Sequence, residues 1–224
     1  MRSLAMFGMG AVAAVAAVLI ATSGPSPATA EGLKVPPAAL VEKSAGHREV
    51  AVLAGGCFWG VEGVYEHVKG VLDVTSGYAG GGNATADYSS VSSGRTGKAE
   101  AVRIVYDPAK VSYADLLRIL FSVVADPTQV NRQGPDVGTQ YRTAIFPQSA
   151  SQARVARAYI SQLSKAHVFK RPIATRIEAT GRFTPAEAYH QDFMRKNPAH
   201  PYILVHDRPK VAALRRTFPQ SWRG

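Results

Sequence analysis

A strand-to-helix turn around a single cysteine is the feature that most constrains the fold of this chain. The apolar run at residues 49–54 is typical of a buried strand, and residues 58–68 have helical character. Gly55 and Gly56 separate the two and place Cys57 in the first turn of the helix. Backbone N–H groups and the positive end of the helix dipole favour a thiolate there, which predicts a reactive thiol. Because free cysteine is among the most buried residue types, a simple packing role is the alternative.

The first thirty residues have the pattern of a secretory signal peptide. Arg2 precedes a nearly continuous apolar stretch, and a Ser/Pro/Thr-rich patch then ends in the small-residue cleavage pattern Ala28-Thr29-Ala30. We therefore expect an exported, periplasmic protein, with membrane anchoring as the alternative if the signal is not cleaved. Residues 31–46 are predicted to form a flexible leader and residues 47–224 a single catalytic domain.

A single free cysteine is unusual in an exported protein and suggests that its thiol has a chemical role. Cys57 is the only cysteine among 224 residues, so it cannot form an internal disulfide, although disulfides are usual outside the cytosol. The formal net charge of +10 comes from scattered basic residues without a nucleic-acid-binding motif, so no nucleic-acid partner is expected. Six dispersed histidines show no metal-ligand spacing, and we expect neither a metal nor another cofactor.

The remaining pattern alternates strands and helices in the order β-α-β-β-α-β-α-β-α, which predicts an α+β sandwich with helices packed on a mixed sheet. Thr184-Pro185-Ala186-Glu187 has the N-cap, proline and glutamate of a helix start. Two polar, glycine-rich segments at residues 79–97 and 126–141 are predicted loops, where binding groups often collect. Strands are predicted at 48–54, 71–78, 99–106, 141–146 and 171–178, and helices at 57–68, 112–125, 149–166, from 184, and at 209–217.

Several ordered motifs resemble those of the A-type peptide methionine sulfoxide reductases. They are GCFW at 56–59, TSGYAGG at 75–81, TGKAE at 96–100, YDP at 106–108, residues 129–141, and YHQ at 189–191. The resemblance runs from about residue 50 to residue 197. It implies a two-layer α/β sandwich with a mixed sheet and a ferredoxin-like core. It also implies thiol-dependent reduction of methionine S-sulfoxide, free or in peptides and proteins, to methionine, which repairs oxidative damage.

The resemblance implies that Cys57 attacks the sulfoxide sulfur and that Glu100 protonates the departing oxygen. Glu100 lies near the start of a largely apolar strand, where desolvation would keep its acid form at neutral pH. Lys98 stands where relatives commonly have histidine. Two residues from Glu100 on one strand, it would share the same face and is expected to lower the pKa of the acid unless its amine reaches solvent.

The resemblance also assigns a substrate pocket. Phe58 and Trp59 would enclose the S-methyl group. Tyr88 and Tyr141 would donate hydrogen bonds to the sulfoxide oxygen, which suits phenols because they remain protonated at neutral pH. Asp136 would organise the pocket through hydrogen bonds or water.

His190 and Gln191 match a motif that we place on the last helix, and are expected to support the pocket residues or to contact the substrate backbone. Two other functions are considered. One is a Cys-His hydrolase with Cys57 as nucleophile and His190 as base. The other is a periplasmic peptide-binding module in which the cysteine is incidental.

The C-terminal tail departs from many relatives because it contains no cysteine to reduce the sulfenic acid formed on Cys57. An external thiol must therefore restore the enzyme, and a thioredoxin-like, glutaredoxin-like or small-thiol donor would serve. The protein is expected to be a monomer.

Overall fold

The computed structural model describes residues 33–42, 46–82, 86–179 and 181–224. The strands are β1 (Glu49–Gly55), β2 (Val71–Gly80), β3 (Lys98–Tyr106), β4 (Arg132–Gln133), β5 (Asp136–Val137), β6 (Thr143–Phe146), β7 (Arg176–Ile177) and β8 (Thr184–Pro185). The helices are α1 (Phe58–Glu66), α2 (Tyr88–Ser92), α3 (Tyr113–Ile119), α4 (Ala150–Lys165), α5 (Phe193–Lys196) and α6 (Arg208–Thr217).

Six strands form one mixed sheet in the order β7-β6-β1-β3-β2-β8. All neighbours are antiparallel except β6 and β7, which run parallel. The central strands β6-β1-β3-β2, with α1 after β1 and α3 after β3, form the βαββαβ unit of a ferredoxin-like core. The predicted α+β fold class is confirmed.

The two faces of the sheet differ because side chains alternate along each strand. Leu53 and Ile104 point into the main core with Val64 of α1 and Leu116 of α3. The opposite face carries a smaller, alanine-rich cluster, comprising Val52, Ala54, Ala79, Ala99, Ala101, Ala144 and Phe146. The helices therefore form one layer and the sheet the other.

The predicted helix from residue 184 is wrong. Thr184–Pro185 is instead the edge strand β8, which pairs with Gly77 and Tyr78 of β2. Glu187, expected to close a capping box, accepts hydrogen bonds from the Tyr78 hydroxyl (2.9 Å) and the Tyr88 backbone N–H (2.8 Å). An unpaired sheet edge thus outcompetes a local capping signal, and proline is tolerated on such an edge.

Other differences concern element boundaries. The helix predicted at 112–125 begins with the expected capping box of Ser112 and Asp115 but ends at Ile119, where a π-helical turn covers Leu120–Val124. The predicted loop at 79–97 contains α2, and the strand predicted at 171–178 is reduced to β7.

Part of the predicted flexible leader packs on the domain. Val35 is fully buried in the main core, and its carbonyl accepts a hydrogen bond from Arg118 Nε at 2.9 Å. The Tyr159 hydroxyl donates to the carbonyl of Pro36 at 2.6 Å. The predicted signal peptide, residues 1–30, lies outside the described residues. Among the residues that are described, no helix has the length and apolar character needed to cross a membrane.

Candidate active site

The turn between β1 and α1 presents Cys57 at the start of the helix, as predicted. Gly56 has a φ of +97°, and a Cβ there would lie 2.7 Å from Cβ of Gln133, so this position requires glycine. Cys57 is only 8% exposed, so its side chain is largely buried where the turn meets α1.

The Cys57 thiol is not activated in the free protein, contrary to the sequence-based expectation. Burial raises its pKa well above the ordinary value, and the charges of Glu100 and Asp207 act in the same direction. The backbone N–H of Trp59 and the charge of Lys210 oppose this increase but are smaller influences. The thiol is therefore protonated at neutral pH before substrate binds.

Glu100 lies on β3 beside the same turn. Its Oε2 accepts a hydrogen bond from the backbone N–H of Phe58 at 3.0 Å, directly after Cys57 in the chain. The side chain is nearly completely buried, and this burial raises its pKa to about 8. A pKa of about 8 agrees with the expectation of a neutral acid at pH 7.

Lys98 does not keep Glu100 ionised. Its buried Nζ donates hydrogen bonds to the carbonyls of Gly80 (3.0 Å) and Gly82 (3.3 Å). Apart from burial, the pKa of Glu100 is raised by the charges of Asp136 and Asp207. Lys98 is not among the influences on the pKa of Glu100, which is raised, so the expected lowering of this pKa by Lys98 is not seen.

The two aromatic residues after Cys57 occupy different environments. Phe58 is buried, with its ring 4.9 Å from that of His190 and 5.9 Å from that of Tyr78. Trp59 is half-buried and stacks on Phe193, with ring centroids 3.7 Å apart. Trp59 therefore forms the more accessible wall beside the cysteine.

Tyr88 and Tyr141 are half-buried, and both are within electrostatic reach of Glu100 and Cys57. Burial, followed by the charge of Glu100, raises the pKa of both phenols. They are therefore protonated donors at neutral pH. Asp136 also belongs to this group, because its charge raises the pKa of both tyrosines.

His190 supports Trp59. It lies on a single 3₁₀ turn (Ala188–His190) rather than on the helix predicted from residue 184. Its Nδ1 accepts a hydrogen bond from Trp59 Nε1 at 3.1 Å, and burial lowers its pKa. In the neutral ring the proton is then on Nε2, and the only nitrogen lone pair is occupied by Trp59. His190 has no free basic nitrogen, which argues against the hydrolase alternative.

Gln191 connects the 188–192 segment to β2. Its Oε1 accepts from the Ser76 backbone N–H, and its Nε2 donates to the carbonyls of Ser76 and Ala186, each at 2.9 Å. Its amide is thus used within the protein, where it ties the segment next to His190 to β2.

The C-terminal tail adds residues that the sequence did not reveal. The Tyr202 hydroxyl donates to Asp136 Oδ2, and its ring meets that of Trp59 edge-on at 5.9 Å. Asp207 and Lys210 form a buried ion pair at 3.2 Å and influence the pKa of Cys57. No spacing rule predicts how the tail meets the site, because Tyr202 is 66 residues from Asp136 and Asp207 is about 150 residues from Cys57. In the described ranges, no group of three or more His, Cys, Asp or Glu side chains could hold a metal ion.

Comparison with known proteins identifies the family. The family model for peptide methionine sulfoxide reductase matches residues 49–222. The chain belongs to this family. It is 54% identical over 178 residues to peptide methionine sulfoxide reductase MsrA 2 of Mesorhizobium japonicum, covering 80% of this chain and 91% of that protein. It is 56% identical over 178 residues to MsrA 2 of Synechocystis sp., covering 80% and 83% respectively.

Solved structures agree with this assignment. Reduced Mxr1 from Saccharomyces cerevisiae matches with a TM-score of 0.61 and 32% identity over 72% of this chain and 92% of that one. Methionine sulfoxide reductase A of Corynebacterium diphtheriae matches with a TM-score of 0.58 and 30% identity, over 75% and 89%. The protein is therefore an oxidoreductase that reduces methionine sulfoxide in a thiol-dependent reaction and serves protein repair.

Proposed function

We propose that Cys57 is the nucleophile of this peptide methionine sulfoxide reductase and that Glu100 is its acid. The observation that carries the proposal is the 3.0 Å hydrogen bond from the Phe58 N–H to Glu100, which fixes a carboxyl with a pKa of about 8 beside the cysteine. Nucleophilic attack at a sulfoxide needs a proton on the oxygen that departs. A carboxylic acid that is still protonated at pH 7 supplies it.

The reaction is a two-electron reduction of the substrate at the expense of Cys57. The Cys57 sulfur bonds to the sulfoxide sulfur, the substrate S–O bond breaks, and the oxygen departs as water with protons from Glu100 and the thiol, which leaves a sulfonium joined to Cys57. A water oxygen then bonds to the Cys57 sulfur, the S–S bond breaks with its electron pair going to methionine, and the proton released returns to Glu100. Methionine leaves and Cys57 remains as a sulfenic acid, so the substrate is reduced and the enzyme oxidised. Tyr88 and Tyr141 are the proposed donors to the sulfoxide oxygen, and Phe58 and Trp59 the walls around its methyl group.

Recycling is proposed to use an external thiol. The first thiol condenses with the sulfenic acid to give a mixed disulfide and water, and a second thiol releases reduced Cys57. The tail contributes Tyr202, Asp207 and Lys210 rather than a second cysteine. A thioredoxin-like, glutaredoxin-like or small-thiol donor fits this chemistry. The proposed working unit is a monomer, since one chain supplies every residue named.

The test is to incubate the purified protein with the separate S- and R-sulfoxides of blocked methionine. Without thiol, the S-epimer should yield about one methionine per protein. With a dithiol, turnover should continue. Cys57→Ser should abolish both, and Glu100→Gln should lower kcat/KM by about 10²–10⁴-fold while keeping the fold. Undiminished thioether formation by Cys57→Ser would disprove the nucleophile, and normal activity of Glu100→Gln would disprove the acid.

We also propose that the protein is exported and acts in the periplasm. The support is Arg2, the apolar stretch that follows it, and the Ala28-Thr29-Ala30 pattern. Protein recovered from the periplasmic fraction should begin at Glu31 on N-terminal sequencing. A start at Met1 in the membrane fraction would favour the anchored alternative, and a start at Met1 in the cytosol would reject export.

A further inference from the structure

A buried ion pair from the tail lies against the first turn of the catalytic helix. Asp207 is fully buried and contacts Lys210 Nζ at 3.2 Å through Oδ1. A Cβ added to Gly60 would lie 2.1 Å from this Oδ1 and 3.1 Å from Lys210 Nζ. The carboxylate therefore occupies the space that a side chain at residue 60 would fill, one helical turn from Cys57.

The second oxygen of Asp207 is unusual. Oδ2 is buried and has no hydrogen-bond partner among the residues that the structure describes. A buried carboxylate normally has its oxygens satisfied, because leaving one without a partner costs stability. Replacing a buried ion pair with apolar residues is often neutral or stabilising, so a contribution to folding alone gives little reason for this arrangement.

We propose that Asp207, held by Lys210 against the first turn of α1, is a positioning residue for the reduction. Its buried negative charge keeps Glu100 and Cys57 in their protonated forms until substrate enters. This inference rests on the proposed roles of Cys57 and Glu100. It extends them by giving the cysteine-free tail a part in the reaction.

The electrostatic influences agree with this assignment. The charge of Asp207 raises the pKa of both Cys57 and Glu100, while Lys210 lowers that of Cys57 less strongly. Burial raises the pKa of Asp207 itself and Asp136 acts in the same direction, whereas Lys210 and His206 favour its ionised form. The other ionisable groups close to Cys57 are the phenols of Tyr88, Tyr141 and Tyr202.

The experiment measures the Cys57 pKa from the pH dependence of its alkylation rate. Cys57 is the only thiol in the sequence, so the signal has one source. Asp207→Asn should lower this pKa by about one unit, which speeds alkylation about tenfold at a pH below the pKa. In Asp207→Asn/Lys210→Met the loss of the ammonium should bring the pKa back upward, to a value between those of Asp207→Asn and the wild type.

The matched control is Asp107→Asn. Asp107 and Lys110 form an ion pair with the same i,i+3 spacing and the same 3.2 Å distance, just beyond the end of β3. Asp107 is seven residues from Glu100, which is about 23 Å along a strand. This variant should leave the Cys57 pKa unchanged.

A second readout is the alkaline limb of kcat/KM. Because Asp207→Asn removes a negative neighbour of Glu100, activity should start to fall at a lower pH than in the wild type. A general disturbance of the fold would not lower the pKa values of both Cys57 and Glu100. Nor would it place the thiol pKa of the double variant between those of Asp207→Asn and the wild type. An unchanged or higher thiol pKa in folded Asp207→Asn would overturn the proposal.

The double variant keeps the test decisive if Asp207→Asn does not fold, because it leaves no unpaired buried charge. A thiol pKa equal to that of the wild type in the double variant would also overturn the proposal. Alkylation does not require catalysis. The result therefore remains separate from the Cys57→Ser and Glu100→Gln tests of the proposed function.

Discussion

Two opposing effects act on the sulfur of Cys57, and their magnitudes decide its protonation. The dipole at a helix N-terminus contributes about 0.3–1 kcal/mol, rising to about 2 kcal/mol in favourable partly buried geometries. Full burial can shift a pKa by about 3–5 units, and each unit corresponds to about 1.4 kcal/mol. Desolvation therefore wins at Cys57, whose sulfur is almost entirely buried. The thiol must lose its proton in the same encounter that binds the sulfoxide.

Lys98 provides a test at the scale of one residue. Lys98→Met should leave the alkaline limb of kcat/KM within about 0.2 pH units of the wild type, because Nζ is held by the carbonyls of Gly80 and Gly82. Stability should fall by about 1–3 kcal/mol, since those carbonyls lose their donor. The measurements are a pH–rate profile and a urea unfolding curve.

Asp207→Asn is the variant for comparison, because the alkaline limb of its kcat/KM profile is expected to move to lower pH. If the limb of Lys98→Met instead moved to higher pH, the ammonium would have to communicate with Glu100 after all.

At the scale of elements, α1 depends on two glycines that admit side chains from the last third of the chain. A Cβ on Gly60 would meet Asp207 Oδ1 at 2.1 Å, and a Cβ on Gly63 would meet the Met194 methyl at 2.6 Å. The first neighbour is a fully buried carboxylate in an ion pair, and the second is the end of a flexible, half-buried side chain. The same glycine-to-alanine substitution should therefore destabilise the protein more at residue 60 than at residue 63.

Gly60→Ala should lower the free energy of unfolding by about 1–3 kcal/mol, because Asp207 cannot move without losing Lys210. Gly63→Ala should stay within about 1 kcal/mol of the wild type, since Met194 can change rotamer and alanine is the better helix former. Urea denaturation of the two variants measures the difference. Equal losses would mean that Asp207 is not fixed in place.

At the scale of the whole molecule, the site is assembled from distant parts of the chain. Cys57 and Glu100 come from the ferredoxin-like core, Tyr141 from the turn before β6, and His190 from a 3₁₀ turn. The tail then closes over Trp59 through Tyr202. The packed segment at 33–42 and the tail thus extend the core at both ends of the described chain.

The sequence alone determined the fold class, the family and the position of Cys57, because strand periodicity, glycine turns and contiguous motifs are local signals. It also predicted a protonated Glu100, because the apolar residues around it on the strand indicate burial. Only the tertiary structure decided that burial raises the pKa of Cys57, that Lys98 is held by the carbonyls of Gly80 and Gly82, and that β8 replaces a helix. It alone placed Tyr202, Asp207 and Lys210 at the site. Desolvation, edge pairing and long-range charge depend on which distant segments meet, and no local pattern encodes that.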